Sequence, residues 1–401
     1  MAASVAVPTE AHEPAASPRR TLLIACVAHA LHDGYTDLIY LLLPIWQADF
    51  GLGYGVLALL RGLAAATMAG LQVPAGRVAE RIGGRTTLAL GTALAALGYV
   101  IAGWSAGIAG LCVALVVMGC GLSTQHPIAS AAVSRAYGAK ARGPLGTYNF
   151  AGDLGKAALP SSTSLLLAAM TWHHALWIVA ALGGLVAGVV AVLLPTFRAA
   201  PAGAGGTQAR HAGARGGFRL LLAIGMLDSA VRMGFLTFLP FLLEAKGASL
   251  STVGIALALV FIGGAAGKFT CGWLGARFGV LATVLLTEAG TAIAIIAVLI
   301  LPLAPTLAVL ALLGVMLNGT SSVLYGTVPE LARGSTERAF AIFYTGTIGS
   351  GAIAPILYGI LGDAAGPRAA TVAAAVTAAV ILPLALALAP RLPRSAATPA
   401  E

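Results

Sequence analysis

The sequence predicts an all-α integral membrane protein whose twelve transmembrane helices form two six-helix bundles. Of the 401 residues, 59% are hydrophobic and only 9% are charged, whereas soluble domains carry about 25% charged residues. Twelve apolar runs are long enough to cross a hydrocarbon layer of roughly 30 Å. The two halves also share residue types at a constant offset, which indicates an internal duplication.

The apolar runs form two groups of six, separated by a stretch without apolar periodicity. The first bundle is predicted at 21–195 and the second at 218–390. We expect 1–20 to be a disordered cytoplasmic tail, 391–401 a cytoplasmic tail, and the Gly-, Ala- and Arg-rich segment 196–217 a flexible cytoplasmic linker. The predicted spans are 21–46, 54–76, 86–104, 107–134, 144–169, 173–195, 218–243, 250–274, 280–301, 304–330, 338–361 and 367–390.

The two halves match at an offset of 196 residues without a gap. The pairs that chance explains least well are Pro44/Pro240, Arg81/Arg277, Arg142/Arg338 and Tyr148/Tyr344. Both members of each pair occupy corresponding points of the hydrophobic pattern. Duplicated hydrophobic halves are typical of membrane transporters, whose working site lies between the repeats. Transport is therefore the leading function before any motif is considered.

The basic excess of the chain indicates membrane orientation. The net charge is +9, and 17 of the 23 Lys and Arg residues fall in segments that one topology places in the cytoplasm. This asymmetry follows the positive-inside rule, so the positive charge does not call for a nucleic-acid partner. An even number of spans then puts both termini on the cytoplasmic side.

The motifs of other functional classes are missing from the sequence. No nucleotide-binding G-x-x-x-x-G-K-[ST], no H-E-x-x-H and no G-x-S-x-G occurs. The four cysteines lie in apolar segments without metal-like spacing, so neither a disulfide framework nor a metal site is predicted. These observations argue against an enzyme and against direct use of ATP.

The loop after the second span combines turn glycines with charged residues, namely Gly76, Glu80, Arg81, Gly83 and Arg85. This loop resembles the G-x-x-x-D-R-x-G-R-[KR] loop of the major facilitator superfamily, with Glu80 in place of Asp and Gly84 in place of the first closing basic residue. The corresponding loop of the second half keeps Gly272, Arg277 and Gly279 but no acid. We predict a cytoplasmic gating loop in which Glu80 and Arg81 form charge pairs that break on opening. The alternative is topogenic charge with turn glycines.

A narrower resemblance connects the chain with the fosmidomycin-resistance branch of that superfamily. The residues that carry it are the polar first span around His32 and Thr36, the run Ser123-Thr-Gln-His-Pro127, and the Phe150–Gly155 segment. Asp153 replaces the second glycine of the family pattern, and Lys156 is an additional charge. The resemblance implies the major facilitator fold, proton-driven efflux and a bacterial cytoplasmic (inner) membrane location.

The first span carries a polar stripe on one face. His29, Asp33 and Asp37 recur every four residues and therefore share one side of a helix. Because ionisable groups facing lipid cost several kcal/mol, the stripe should face the bundle interior or a water-filled cavity. Burial and repulsion between the carboxylates favour proton uptake, as a proton-coupling site requires. The alternative is a polar network that only fixes helix packing.

Further polar residues within the spans extend the candidate site. Asp153 is a fourth proton-coupling candidate, three residues before Lys156, and Asp228 precedes Arg232 by four, so each of these pairs could neutralise itself. Arg61 could pair with an acid of the first span or bind an anionic group. Lys268 and Glu288 are expected to be isolated, and Glu288 to be structural. The substrate-binding candidates are Arg61, Gln125, His126, Tyr148, Asn149, Lys156, Asp228 and Arg232.

These observations favour a secondary transporter of a small molecule, embedded in the lipid bilayer as a monomer. The proton gradient is the expected driving force, without a cofactor. Export of a drug-like or metabolite solute by proton antiport is the first hypothesis, and uptake by symport is an alternative because it uses the same kinds of residues. A non-transporting sensor on the same fold is the third possibility, favoured by the incomplete second loop.

Overall fold

The computed structural model describes residues 17–197, 211–212, 216–334 and 336–392. Most of both predicted tails and most of the predicted linker lie outside the described residues, so those predictions stay untested. The helices are α1 (Pro18–Phe50), α2 (Tyr54–Ile82), α3 (Gly84–Gly103), α4 (Ile108–Leu122), α5 (Gln125–Tyr137), α6 (Arg142–Leu167), α7 (Trp172–Leu193), α8 (Gly217–Glu244), α9 (Leu250–Ile300), α10 (Leu303–Leu331), α11 (Thr336–Ala365) and α12 (Pro367–Leu388).

The described helices account for twelve membrane crossings, which confirms the predicted fold class. Nine helical segments of the described chain are apolar and long enough to span a membrane. One of these is α9, which has 51 residues and is broken at Gly279, where φ is 83°. The polar helices α1 and α6 are not among the nine, and both belong to the first bundle. They bring the total to twelve because α9 makes two crossings, one on each side of Gly279. In a membrane the helices satisfy their own backbone hydrogen bonds, so polar side chains are tolerated where they pack inside.

The fourth predicted span is interrupted at Ser123 and Thr124, within the Ser123–Pro127 run. α4 ends at Leu122 and α5 begins at Gln125, with Ser123 and Thr124 between them. The Thr124 hydroxyl donates to the Gly121 carbonyl over 2.9 Å, which satisfies part of the broken helix end. Pro127 thus lies in the first turn of α5, where its missing N–H leaves no helical bond unmade.

Helices α1 and α6 cross in very close contact because three glycines lie at their interface. A Cβ on Gly155 would collide with the backbone carbonyl of Ala30. A Cβ on Gly152 would come within 2.7 Å of the His29 ring, and one on Gly34 within 2.8 Å of the Gly155 carbonyl. Small residues allow this backbone approach in membrane proteins. The crossing places the polar residues of both helices side by side.

The two bundles meet at one end of the molecule, which we term the closed end. It carries the α1–α2, α8–α9 and α11–α12 connections. Residues 37–44 of α1 and 234–243 of α8 are buried on every face there. At the opposite, open end, a Cβ added at Gly76, Gly146 or Gly272 would meet no atom within 4 Å. The bundles therefore enclose a space that is sealed at the closed end.

Part of the predicted linker pairs with the second bundle. The strand β1 (His211–Ala212) lies antiparallel to β2 (Arg333–Gly334), with His211 opposite Gly334. β2 lies in the connection between α10 and α11. This pairing is the only strand contact among the described residues, and it ties the linker to the second bundle.

Candidate functional site

A cavity of about 260 Å³ lies between the two bundles. Its lining comes from α1, α2, α5 and α6 of the first bundle and from α8 to α11 of the second. Six of the predicted site residues line it, namely Asp33, Asp37, Arg61, His126, Lys156 and Arg232. The lining also includes polar residues that the sequence analysis did not select: Thr36, Ser229, Asn318, Tyr325 and Thr347. Their only signal in the sequence is a polar side chain within an apolar span.

Asp33 is the centre of the polar cluster on the first-bundle side. Its carboxylate lies 3.3 Å from the Lys156 ammonium nitrogen and 3.4 Å from Nε2 of His29. Nε2 of His32 is 3.8 Å away. The residue is 8% exposed, so its charge depends on these partners more than on water. The predicted stripe therefore faces the bundle interior rather than lipid.

Asp153 connects the two bundles through a residue that the sequence analysis considered isolated. The Lys268 ammonium nitrogen of α9 lies 2.7 Å from both oxygens of Asp153 on α6. Lys156, the partner expected from the i,i+3 spacing, is 3.8 Å from the same carboxylate. The isolation of Lys268 was therefore a wrong prediction, because the packing of α6 on α9 supplies a closer cation than the local helix does.

Arg61 makes no ion pair with either acid of the first span. Its guanidinium donates to the Gly351 carbonyl over 3.1 Å and approaches the Met233 sulfur at 2.9 Å. It also lies over the Tyr40 ring, 5.1 Å from the ring centre, in a cation–π contact. Asp37 likewise has no Lys, Arg or His side-chain nitrogen within 4.0 Å in the described chain. Both groups line the cavity, and neither has an ion-pair partner within 4.0 Å among the described residues.

The pair expected on α8 is looser than its spacing suggests. Asp228 and Arg232 do not form an ion pair within 4.0 Å, although both line a smaller pocket beside the main cavity. Asp228 instead lies next to the carboxyl group of Glu288 on α9. Glu288 is 2% exposed, so its predicted isolation was also wrong. Two buried carboxyl groups in contact cannot both carry charge without large repulsion.

Three further substrate-binding candidates lie at different depths. Gln125 and Tyr148 are buried behind the cavity wall, each 2% exposed. The Tyr148 ring stacks on His29 at a centroid distance of 4.0 Å. Asn149 is exposed and does not line the cavity, because the next position on α6 points away from α1. Of these three, Tyr148 supports the site by packing against it.

The predicted gating loop is shorter than the sequence suggested. Only Gly83 and Gly279 leave the helical conformation, with φ of 89° and 83°, which glycine adopts without strain. Gly76 and Gly272 belong to the helices α2 and α9. Arg85 donates to the Leu194 carbonyl over 3.5 Å. The side chains of Glu80, Arg81 and Arg277 are exposed at the open end.

Asp363 holds the closed end together and was missed in the sequence. Its carboxylate, on α11, accepts the backbone N–H of Tyr54 over 2.6 Å and that of Gly55 over 3.0 Å. These are the first N–H groups of α2, which have no helical acceptor. A carboxylate at a helix N-terminus is also favoured by the helix dipole. The second bundle thus caps a helix of the first.

Replacing Asp363 with Ala is expected to loosen the closed end. The loss of a capping carboxylate costs about 1 kcal/mol, which shifts an opening equilibrium roughly fivefold. The measurement is thiol labelling of Ala58→Cys in a cysteine-free background, since Ala58 is fully buried on α2. The D363A variant should label faster, whereas Asp49→Ala should not. Equal labelling rates in all variants would contradict the capping role.

Comparisons with known proteins agree with this architecture. The family model of the Major Facilitator Superfamily matches residues 25–225 and 220–401. A bacterial homolog of the human lysosomal transporter Spinster, inward-facing and occupied, superposes with a TM-score of 0.74 at 18% identity, over 96% of this chain and 99% of that chain. Its inward-facing, unoccupied form gives a TM-score of 0.72 at 17% identity, over 97% and 100%. No curated protein sequence matches the chain.

At these identities the solved structures show the fold alone. The family match is stronger evidence because it covers both bundles and nearly the whole chain. It agrees with the twelve crossings and with a polar cavity between duplicated halves. The chain therefore belongs to the Major Facilitator Superfamily and is a multi-pass secondary transporter of the membrane, not an enzyme.

Proposed function

We propose that this transporter exports a small drug-like or metabolite solute in exchange for protons, as a monomer that needs no cofactor beyond the proton gradient. The observation that carries the proposal is the chain of alternating charges from Asp33 through Lys156 and Asp153 to Lys268. It begins at a carboxylate that lines the cavity and ends on the other bundle. A proton taken up at one end thus changes the contact between the bundles.

The distances suggest how the coupling works. A proton on Asp33 removes the partner that Lys156 holds at 3.3 Å. The freed ammonium then turns toward Asp153, which it already approaches at 3.8 Å. There it competes with Lys268 for the same carboxylate. Protonation on the first bundle would weaken the bridge to the second, which is the differential interaction that a conformational change requires.

Arg61 and Arg232 favour a solute that carries an anionic group. They come from opposite bundles, both line the cavity, and neither forms an ion pair in the described chain. Guanidinium groups bind carboxylates and phosphates through paired hydrogen bonds. An anion held between them would draw the two bundles together, so solute binding and bundle closure would be linked.

The export direction rests on charge distribution and resemblance. The positive-inside rule places the termini, and with them the open end of the cavity, in the cytoplasm. An exporter collects its solute on that side. The resemblance to the fosmidomycin-resistance branch, seen in the polar first span and the Ser123–Pro127 run, supports the same direction and a bacterial inner-membrane location.

A resistance screen followed by proton measurements tests the proposal. The chain is expressed in a bacterial strain that lacks its own exporters, and toxic small acids and neutral compounds are screened for protection. Each protective compound is then added to energised everted vesicles that contain a pH-sensitive dye. An antiporter releases stored protons when the compound is added, so the dye signal should recover in proportion to compound concentration.

Vesicles without the transporter provide the background. Proton-driven accumulation in right-side-out vesicles would indicate symport and overturn the proposed direction. Binding to the purified protein without movement in either vesicle type would indicate a sensor and overturn transport by this chain. Protection by neutral compounds but not by acids would overturn the anionic solute while leaving proton exchange intact.

A further inference from the structure

Three histidines and one aspartate converge on the wall of the cavity. The four residues come from two helices. His29, His32 and Asp33 lie on α1, and His126 lies on α5. The His29 and His126 rings are 5.2 Å apart, and the His32 and His126 rings 4.7 Å. Potential ligand atoms of His29, Asp33 and His126 all lie within 4.8 Å of one another. No sequence spacing reveals this cluster, because α5 joins it only through tertiary packing.

The hydrogen bond of one His29 nitrogen leaves the other nitrogen of the ring available to coordinate a metal ion. Nδ1 lies 2.8 Å from the Tyr148 carbonyl oxygen, and only a protonated Nδ1 can donate to a carbonyl. In the neutral imidazole Nε2 then carries the lone pair. It is buried without a hydrogen-bond donor and faces Asp33 at 3.4 Å. Metal-binding histidines are usually held this way, with the second nitrogen bound to a carbonyl or carboxylate.

Asp33, His126 and His32 supply the remaining donors of a coordination shell. His126 and Asp33 line the cavity, so an ion has an access path from the open space. His32 adds an imidazole whose Nδ1 is also buried without a partner. A tetrahedral zinc ion needs ligand atoms about 3.4 Å apart. Nε2 of His29 already lies 3.4 Å from an Asp33 oxygen. An approach of His126, now within 4.8 Å of both, would bring the three donors to that spacing.

We infer that His29, Asp33 and His126 form a binding site for a divalent transition-metal ion, with His32 as a further donor. Two or three imidazoles and one carboxylate suit zinc, cobalt or nickel better than magnesium or calcium, which prefer oxygen ligands. The cationic competitor is Lys156, whose ammonium nitrogen lies 3.3 Å from Oδ2 of Asp33, the oxygen that does not face His29. An ion therefore binds in competition with this ammonium group. The inference concerns binding and stands apart from the proposed direction and coupling of transport.

The test uses the full chain, purified in detergent with an affinity tag that contains no histidine. Co²⁺ is the probe, because its visible absorption reports tetrahedral coordination, and Zn²⁺ is then added as a competitor. The expected result is one Co²⁺ per chain, displaced by Zn²⁺. His29→Gln and His126→Gln should each weaken binding at least about tenfold, since loss of even a supporting group has such an effect.

Two further variants keep the test independent of folding. Lys156→Gln removes the competing charge and should bind Co²⁺ more tightly than the wild type, a gain that misfolding does not produce. The double variant His173→Gln/His174→Gln removes the histidine pair at the start of α7, outside the cavity, and should bind as the wild type does. Unchanged Co²⁺ absorption in both His29→Gln and His126→Gln, or no binding by the wild type, would overturn the site and leave a packing network.

Discussion

Replacing Asp33 with Asn is expected to abolish proton-driven transport and to destabilise the protein by about 3 kcal/mol. Removing one partner of a buried ion pair costs about 3–5 kcal/mol, because the other charge is left uncompensated. The lower end applies here, since the Lys156 side chain is 29% exposed and keeps Asp153 as a second partner at 3.8 Å. Thermal unfolding in detergent and solute-dependent proton release in vesicles measure the two effects.

The double variant Asp33→Asn/Lys156→Gln separates structure from coupling. It removes both charges of the pair and leaves polar side chains in their place, so most of the lost stability should return. Proton release should stay absent, because no titratable group then occupies the position of Asp33. Recovery of proton-coupled transport in the double variant would show that the pair only holds α1 against α6.

Replacing Gly155 with Ala is expected to have the next largest effect. The added Cβ would meet the Ala30 carbonyl, which is backbone and cannot rotate away as a side chain can. Overpacking of this kind costs about 1–3 kcal/mol, and the upper end applies because the whole α1–α6 crossing must move. That movement separates Lys156 from Asp33, so both thermal stability and transport should fall.

Gly146 provides a matched control on the same helix. A Cβ at Gly146 meets no atom within 4 Å, and Ala has a higher helix propensity than Gly. Gly146→Ala should therefore be neutral or slightly stabilising, with transport retained. If Gly146→Ala and Gly155→Ala reduce the unfolding temperature equally, the loss comes from a general intolerance of α6 and the close crossing has no special role.

The polar stripe shows how far sequence reasoning reaches. His29, Asp33 and Asp37 share a face because a helix repeats every 3.6 residues, and that face turns inward because lipid excludes charge. Their orientation therefore needed no tertiary information. Arg61 and Lys156, which line the cavity from the first bundle, were predicted by the same argument from polarity within apolar spans.

The partners of these residues were not predictable in the same way. Local spacing paired Asp153 with Lys156, yet the closest cation is Lys268, 115 residues away. The capping of α2 by Asp363 joins residues more than 300 positions apart. Such contacts depend on which helix faces approach and how closely, and glycine contacts such as Gly155 with Ala30 set that distance.

The sequence by itself determined the membrane class, the twelve crossings, the duplicated halves and the inward polar face, because hydrocarbon forces each span to be apolar and to satisfy its own backbone. Tertiary structure decided which charges pair across the bundles and brought His126 of α5 next to His29 and Asp33 of α1. The physical reason is the distance along the chain over which each interaction acts. Hydropathy and helical period act within one span, whereas ion pairs and ligand clusters form between spans that only packing places together.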